Sequence, residues 1–426
     1  MKKLLGILKK AGIAFAALLG IILAVGVISL NYKSVLARHK VADVKNYAQS
    51  VDEIEIPDNV KIVGLGEAAH GNVEFQELKL TVFKKLVEEY DFRAFALEAN
   101  YSEVLAVNDY VQGADGDITQ ILETLSNPIY HTVQMAELAD WMRDYNKNAA
   151  DTDKVRFYGF DMQDQATGAQ MLADYCEKEK IAGIENELAL VKDLCDGAFV
   201  PEDEEKYVTA LRKVQDVIAA QNEDIAYLCE VLSQYNEVYR DGENWYTYRD
   251  KCMEINVTNF VKLEAERGNG KIMIAGHDGH LQKGYVEVEA GDTEPTFGQM
   301  LSGEWKDAYF VIGTDFFTTT DNINTSSMMS AEYERKNHRF CSADVLAYQA
   351  KYMDGQMYYL DFSKVSEGKT YDLIHTEGSF GEIGEGYMFL WYLFADNTYR
   401  ASHFAADTYD AMIYVYHADP IAPTDY

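Results

Sequence analysis

Three short segments of this chain set ionisable side chains directly against apolar runs: GLGEAAHG at 64–71, RAFALEAN at 93–100 and KIMIAGHDGHL at 271–281. Glu67 and His70 lie three apart with only Ala68 and Ala69 between them, so both can face one way. Taken alone, a Glu-x-x-His turn suits helix capping with a surface histidine equally well. Glu98 changes the balance, because a carboxylate following Ala-Phe-Ala-Leu is costly to bury unless it is paired. His70 is the partner this reading assigns to it. A glutamate beside an imidazole fixes the tautomer and stabilises the imidazolium, which makes the histidine a better general base. His277 and His280 add two of the chain's nine histidines within four residues, where Gly276 and Gly279 let the backbone turn tightly. Asp161, in YGFDMQ at 158–163, either lines the same crevice or caps the helix after it. Arg249 and Asp250, in YRDKCMEIN, either steady an anionic group or form a surface ion pair.

Several chemistries lose support from what is missing. The chain has no GxSxG elbow, no GxGxxG, no P-loop and no HExxH. What remains uses His and Glu to activate water, without a cofactor, or to hold a metal that does so. In the metal reading His70, Glu98 and His277 or His280 ligate a divalent ion, a set that suits zinc or iron. A third reading belongs to another class, a non-catalytic surface protein that binds envelope polysaccharide or lipid on its aromatic residues, 12% of the chain.

The elements that must position these residues follow a repeating grammar from Asn59 onward. Short β-rich apolar runs alternate with longer helical patterns, the signature of a parallel sheet flanked by helices. Candidate strands are 60–66, 93–99, 155–160, 271–277, 308–314 and 357–362, with 371–376 as a further one. Most lack polar alternation, as strands covered on both faces should. In such sheets ligands bind beyond the carboxyl ends of the strands, where Glu67, Glu98, Asp161 and His277 fall. Phe75, Leu78, Val82, Leu86 and Val87 recur at helical spacing, so a helix follows the first strand, with Gly71 and Asn72 at its start. Residues 164–268 read as a helical insertion that caps the sheet. The segment after Leu373 has no clear period.

The first 37 residues differ in kind. Lys2, Lys3, Lys9 and Lys10 precede an uncharged run from Ala11 to Leu30, long enough to span a bilayer at ~1.5 Å per residue. The flanking lysines place the N-terminus in the cytoplasm and residues 38–426 outside the cell, tethered to the membrane by a single pass. The competing reading is a cleaved signal peptide, with small residues near Val35-Leu36-Ala37. A formal charge of -32 would repel nucleic acid and anionic lipid, so no nucleic-acid partner is expected. Five cysteines lack metal-ligand spacing and read as small buried hydrophobes, although Cys176 and Cys195 are near enough in sequence to pair.

GLGEAAHG followed by EFQELKL, then FALEAN, YGFDMQ, YRDKCMEIN and IAGHDGH, come in the order found in the erythromycin esterase family, which the chain resembles from Asn59 to His375. The resemblance implies a three-layer α/β/α fold with a mostly parallel central sheet, and a turn histidine that acts as general base on water attacking an ester or lactone. That role falls to His70, while Glu67, Glu98, His277 and His280 match family pocket residues. Asp161, Arg249 and Lys79 are the substrate-binding candidates. Macrolide-resistance members carry an arginine where this chain has Lys79, and a tryptophan is usual where it has Tyr130. These departures, with an export segment in a mostly intracellular family, point away from a macrolide and toward an extracellular small-molecule ester.

Overall fold

Apolar runs without polar alternation become strands with both faces covered. The computed structural model describes residues 2–240, 245–289, 292–327 and 330–425. Its strands are β1 (Ile62–Glu67), β2 (Ala94–Asn100), β3 (Arg156–Asp161), β4 (Ile272–His277), β5 (Tyr285–Glu289), β6 (Asp292–Pro295), β7 (Tyr309–Ser327), β8 (Ser330–Cys341), β9 (Met357–Asp361), β10 (Gly378–Gly381), β11 (Arg400–His403) and β12 (Ala411–Ala418). The main sheet runs β3-β2-β4-β1-β7-β12-β9, with β8 beside the far half of β7. It is parallel except where β9 meets β12 and β8 meets β7. β5–β6 and β10–β11 form two small antiparallel pairs apart from it.

The pleat sends alternate residues to opposite layers. Ile62, Ala94, Ala96, Ile272 and Ile274 join one apolar cluster, and Val63, Leu65, Phe95, Leu97, Met273 and Ala275 join the other. Helices cover both, so the fold is three-layered α/β/α. On the second face lie α2 (Val73–Tyr90), α3 (Tyr101–Val111), α4 (Ile118–Leu122) and α5 (Val133–Asn146). Between β3 and β4 the chain is helical: α6 (Ala166–Lys178), α7 (Glu185–Asp193), α8 (Glu204–Ile218), α9 (Glu223–Arg240) and α10 (Trp245–Glu266), packed on the first face. α11 (Asp278–Leu281) and α12 (Phe297–Trp305) follow β4. Phe75, Leu78, Val82, Leu86 and Val87 are the buried stripe of α2, which starts after extended Asn72 and stops at Asp91 in the left-handed region, φ 63°.

Two sequence expectations change. Residues 371–376 are not a strand: Gly368–Ile374 is a helix, with Thr370 and Ile374, four apart, turned to the core. The undifferentiated C-terminal segment supplies β12, which sits between β7 and β9 and is buried along most of its length. All five cysteines are free, so Cys176 and Cys195 do not pair. At the N-terminus α1 (Lys2–Leu36) contains a stretch, Lys9–Leu36, whose most apolar 18 residues have a mean hydropathy of 2.8, long and apolar enough to cross a membrane, a test that a signal sequence also passes.

Candidate active site

Strand order brings the ionisable residues together. β3, β2, β4 and β1 are consecutive neighbours, and their carboxyl ends carry Asp161, Glu98, His277 and Glu67 in that order. Glu67 is paired in register with His277, and Asn100 with Asp161, so the set forms one row along the sheet edge. Glycine permits the crowding: a Cβ on Gly276 would sit 2.7 Å from Glu98 Oε2, and one on Gly66 would overlap the Asp278 carboxylate. The turn after β1 is pinned from outside, since Asn322 N of β7 and Ile421 N of the C-terminal tail both donate to the Gly71 carbonyl.

His70 sits on that turn, about one-tenth exposed, and its Nδ1 is 2.8 Å from Glu67 Oε1. Lys79 of α2 donates to the other Glu67 oxygen from a side chain 2% exposed. Burial opposes charge on Glu67, but Lys79 and then His70 outweigh it and hold its carboxyl below the usual range. Burial also opposes the His70 imidazolium, yet the hydrogen bond and charge of Glu67, followed by Glu98, raise that ring to about 9. With an acceptor at Nδ1, the ring proton of neutral His70 lies there, and Nε2 is the nitrogen left for a water.

Arg249, on α10, is the hub of the second half. Its Nη2 donates to Glu98 Oε1 at 2.7 Å and to Asp161 Oδ2 at 2.8 Å, and its Nε adds bonds to Asp161. Its Nη1 lies 2.8 Å from His280 Nε2, which therefore accepts. The His280 proton is then on Nδ1, 2.6 Å from Asp250 Oδ1, and Tyr246 stacks on the ring at 5.0 Å. Burial disfavours charge on His280, whereas Asp250 and Glu98 raise its proton affinity against Arg249. Glu98 is desolvated too, but His280, Arg249 and His70 keep its carboxyl far below the usual range. Its second oxygen accepts the His277 backbone N–H at 2.7 Å. His277 is also neutral: burial and neighbouring His70 depress it to about 3, its Nε2 donates to the Ile383 carbonyl at 3.2 Å, and its Nδ1 accepts from Gly279.

All of Glu67, His70, Lys79, Glu98, Asp161, Arg249, Asp250, His277 and His280 belong to one network. The partner assigned to His70 was Glu98, and here the structure differs. Glu67 holds the His70 Nδ1, because the turn folds it back over its own strand, while Glu98 is taken up by Arg249 and His277 N. Asp161 caps no helix; its oxygens accept from Met162 N, Gln163 and Arg249. Lys79 is buried behind Glu67. Among the described residues no group of three or more His, Cys, Asp or Glu is arranged to hold a metal ion, and the donors proposed for one are committed to Glu67, Arg249, Asp250 and Ile383.

A cavity of about 460 Å³ opens over the row. His70, Glu98, Asp161 and Arg249 reach its wall, with Glu103, Asp164, Asn100, Ser126 and Tyr130 around them. Tyr130 donates its hydroxyl to the Glu98 carbonyl at 2.8 Å and so joins the wall to the strand end. Sequence reasoning missed the lid of the network, Glu382 and Glu385, in the Gly-rich stretch GEIGEG at 381–386. Burial raises the Glu382 carboxyl, opposed by His280, and Arg335 of β8 binds Glu385 at 2.6 Å. Alternating Gly and Glu signalled a loop with acceptors, but nothing local said which strand end it would cover.

A sequence profile of the erythromycin esterase family matches residues 87–418. The chain belongs to the erythromycin esterase family. Erythromycin esterase type I of Escherichia coli is 21% identical over 285 residues, 58% of this chain and 68% of its own length. The type II enzyme of the same organism is 30% identical over 110 residues, a quarter of each chain. Among solved structures, a protein from Bacillus cereus superposes with a TM-score of 0.70 at 20% identity, covering 92% of this chain and 99% of that one. A succinoglycan biosynthesis protein gives 0.69 at 18% identity, covering 90% and 97%. A mutant of the erythromycin esterase EreC in its open conformation gives 0.58 at 16%, covering 86% and 93%. At these identities the structural likeness is one of fold.

Proposed function

We propose that this member of the family hydrolyses an ester or lactone with water activated by His70. The observation that carries the reading is His70 itself: Nδ1 is tied to a Glu67 that Lys79 anchors, and the ring borders a cavity whose wall also holds Arg249. In this mechanism neutral His70 takes a proton from water at Nε2 while the oxygen bonds to the carbonyl carbon. The resulting oxyanion is stabilised by the Arg249 guanidinium on the cavity wall. Collapse breaks the bond to the alcohol oxygen, which recovers the proton from His70 and leaves acid and alcohol. Glu98, Asp161, His277 and His280 act as positioning residues, since they hold Arg249 and the strand ends rather than offering free protons.

The pH dependence tests this. His70 works as base only when unprotonated, and its proton affinity is raised to about 9. Below that value kcat/KM is expected to rise about tenfold per pH unit and then to level off. Glu67→Gln removes the main influence that raises the ring, so its inflection should move to lower pH. A rate that stays flat between pH 7 and 9 would show that no base of raised proton affinity limits turnover, and with His70→Ala at the parental rate it would rule out His70 as the base.

The same cavity suggests a substrate class. Glu98, Glu103, Asp161 and Asp164 bring four carboxylates to a wall that holds His70 and Arg249 as well as amides and hydroxyls from Asn100, Thr124, Ser126, Asn127 and Thr167, so the carboxylates outnumber the cations. We infer a neutral or cationic, hydroxyl-rich ester or lactone other than a macrolide. Across matched esters that differ only in a distal charge, the anionic one should show a kcat/KM lower by about tenfold or more at low salt, the gap narrowing as salt screens it. An anionic ester turned over best would reject the class. We further propose that α1 anchors the domain on the extracytoplasmic side, in keeping with the lysines that precede its apolar run.

A further inference from the structure

The last third of α1 does not stand free of the domain. Leu23, Gly26, Leu30 and Ser34 are its recessed positions, at spacings of three and four that form one helical face, and buried Ala37 follows just past its end. At Gly26 the helix comes so near the short helix Phe389–Phe394 that an added Cβ would lie 2.7 Å from Leu393 Cγ and 2.9 Å from Phe394 Cε1. Lys33 Nζ reaches Asp396 Oδ2 at 2.6 Å, and Arg400 Nη2 donates to the Leu30 carbonyl. Leu393 is buried there, and the Tyr392 hydroxyl donates to the Arg339 carbonyl. The rest of FLWYLF faces outward: Phe389, Trp391 and Phe394 are more than half exposed, and Leu390 is 38% exposed.

Depth says what covers this face. With Ala11–Leu30 across a bilayer, Gly26 lies four residues, about 6 Å, inside the end of the apolar run. Lys33 and Asp396 lie just beyond that end, where charge belongs in water. Phe389–Phe394 is thereby held at the boundary of headgroups and acyl chains, the level at which tryptophan concentrates and interfacial helices lie about 5–10 Å deep. We propose that Phe389, Leu390, Trp391 and Phe394 form a second, monotopic membrane contact that inserts into the leaflet beside α1 and fixes the tilt of the domain. The proposal rests on the reading of α1 as a membrane-spanning anchor. A net charge of -32 gives no general attraction to anionic lipid, so the apolar side chains themselves must carry the contact.

The test uses the full chain in phosphatidylcholine vesicles with acyl chains brominated near the glycerol end. With Trp141, Trp245 and Trp305 replaced by phenylalanine, Trp391 emission should be quenched at least twofold relative to unbrominated vesicles. In the otherwise unaltered chain, Trp391→Phe should remove the quenchable component, a readout that survives if the triple variant fails to fold. Alkaline carbonate extraction, run alongside, reports α1 separately. Protein that stays in the pellet with Trp391 unquenched overturns the second contact and leaves the anchor reading intact. Protein released by carbonate overturns the anchor, while persistent quenching of Trp391 before extraction still supports the contact. Absence of quenching together with self-association through this face, abolished by Trp391→Ser, assigns the surface to a second copy and overturns the proposal.

Discussion

His70→Ala is expected to lower kcat/KM by about 10²–10⁴, the usual contribution of a positioned general base, with little change in stability. The second half follows from the pairing around it. Removing the imidazole leaves Glu67 bonded to Lys79, so no buried charge is orphaned, and His70 lies on a turn at the sheet edge rather than in either apolar cluster. Rates on an ester panel, with thermal denaturation of the same preparations, separate the two effects. A folded His70→Ala protein at parental rate would sink the base assignment. Loss of rate in parallel with loss of fold would instead make His70 structural.

Arg249→Leu is expected to do the opposite, costing about 3–5 kcal/mol of stability as well as activity. Glu98 and Asp161 are both nearly enclosed, and Arg249 is the cation that binds both, at 2.7 and 2.8 Å. Without it two carboxylates remain at neighbouring strand ends, and each must ionise beside the other or take up a proton. That gives the pH dependence its sign. With Arg249 gone, folded-state carboxyl affinities rise above their unfolded values, so the folded protein binds more protons, and the variant should regain stability as pH falls from 7 toward 4. Arg249→Lys should be intermediate, because an ammonium lacks the planar fork that serves Asp161, Glu98 and His280 together. Denaturant titration of detergent-solubilised protein at pH 7 and pH 5 checks this. Arg249→Leu as stable as the parent at pH 7 would show that the network does not depend on the guanidinium.

The limits of sequence reading can be seen at particular residues. GLGEAAHG, RAFALEAN and KIMIAGHDGHL announced themselves because a charged or imidazole side chain after a two-faced apolar strand has few places to go except the sheet edge. Their strands, the helix after β1 and the helical stretch before β4 were likewise legible, since period and composition are local properties. β12 was not, because its place between β7 and β9 depends on long-range pairing, and its aromatic run suits several conformations.

Partnership was the other thing tertiary structure decided. From sequence, Glu98 and His70 were the natural pair, being one strand apart in the chain. The sheet, however, inserts β4 between β1 and β2, so Glu98 meets the His277 backbone and the guanidinium that α10 lowers onto it, while His70 turns back to Glu67. Lys79 passed from a substrate contact to the anchor of Glu67 for the same reason, because the α2 stripe that buries Leu78 and Val82 carries Lys79 down with it. By itself the sequence determined which residue types crowd the carboxyl edge of the sheet. Which of them hold one another and which face the cavity was settled by strand order and by the helix laid across it, because a hydrogen bond is fixed by a few ångströms that no spacing in the chain encodes.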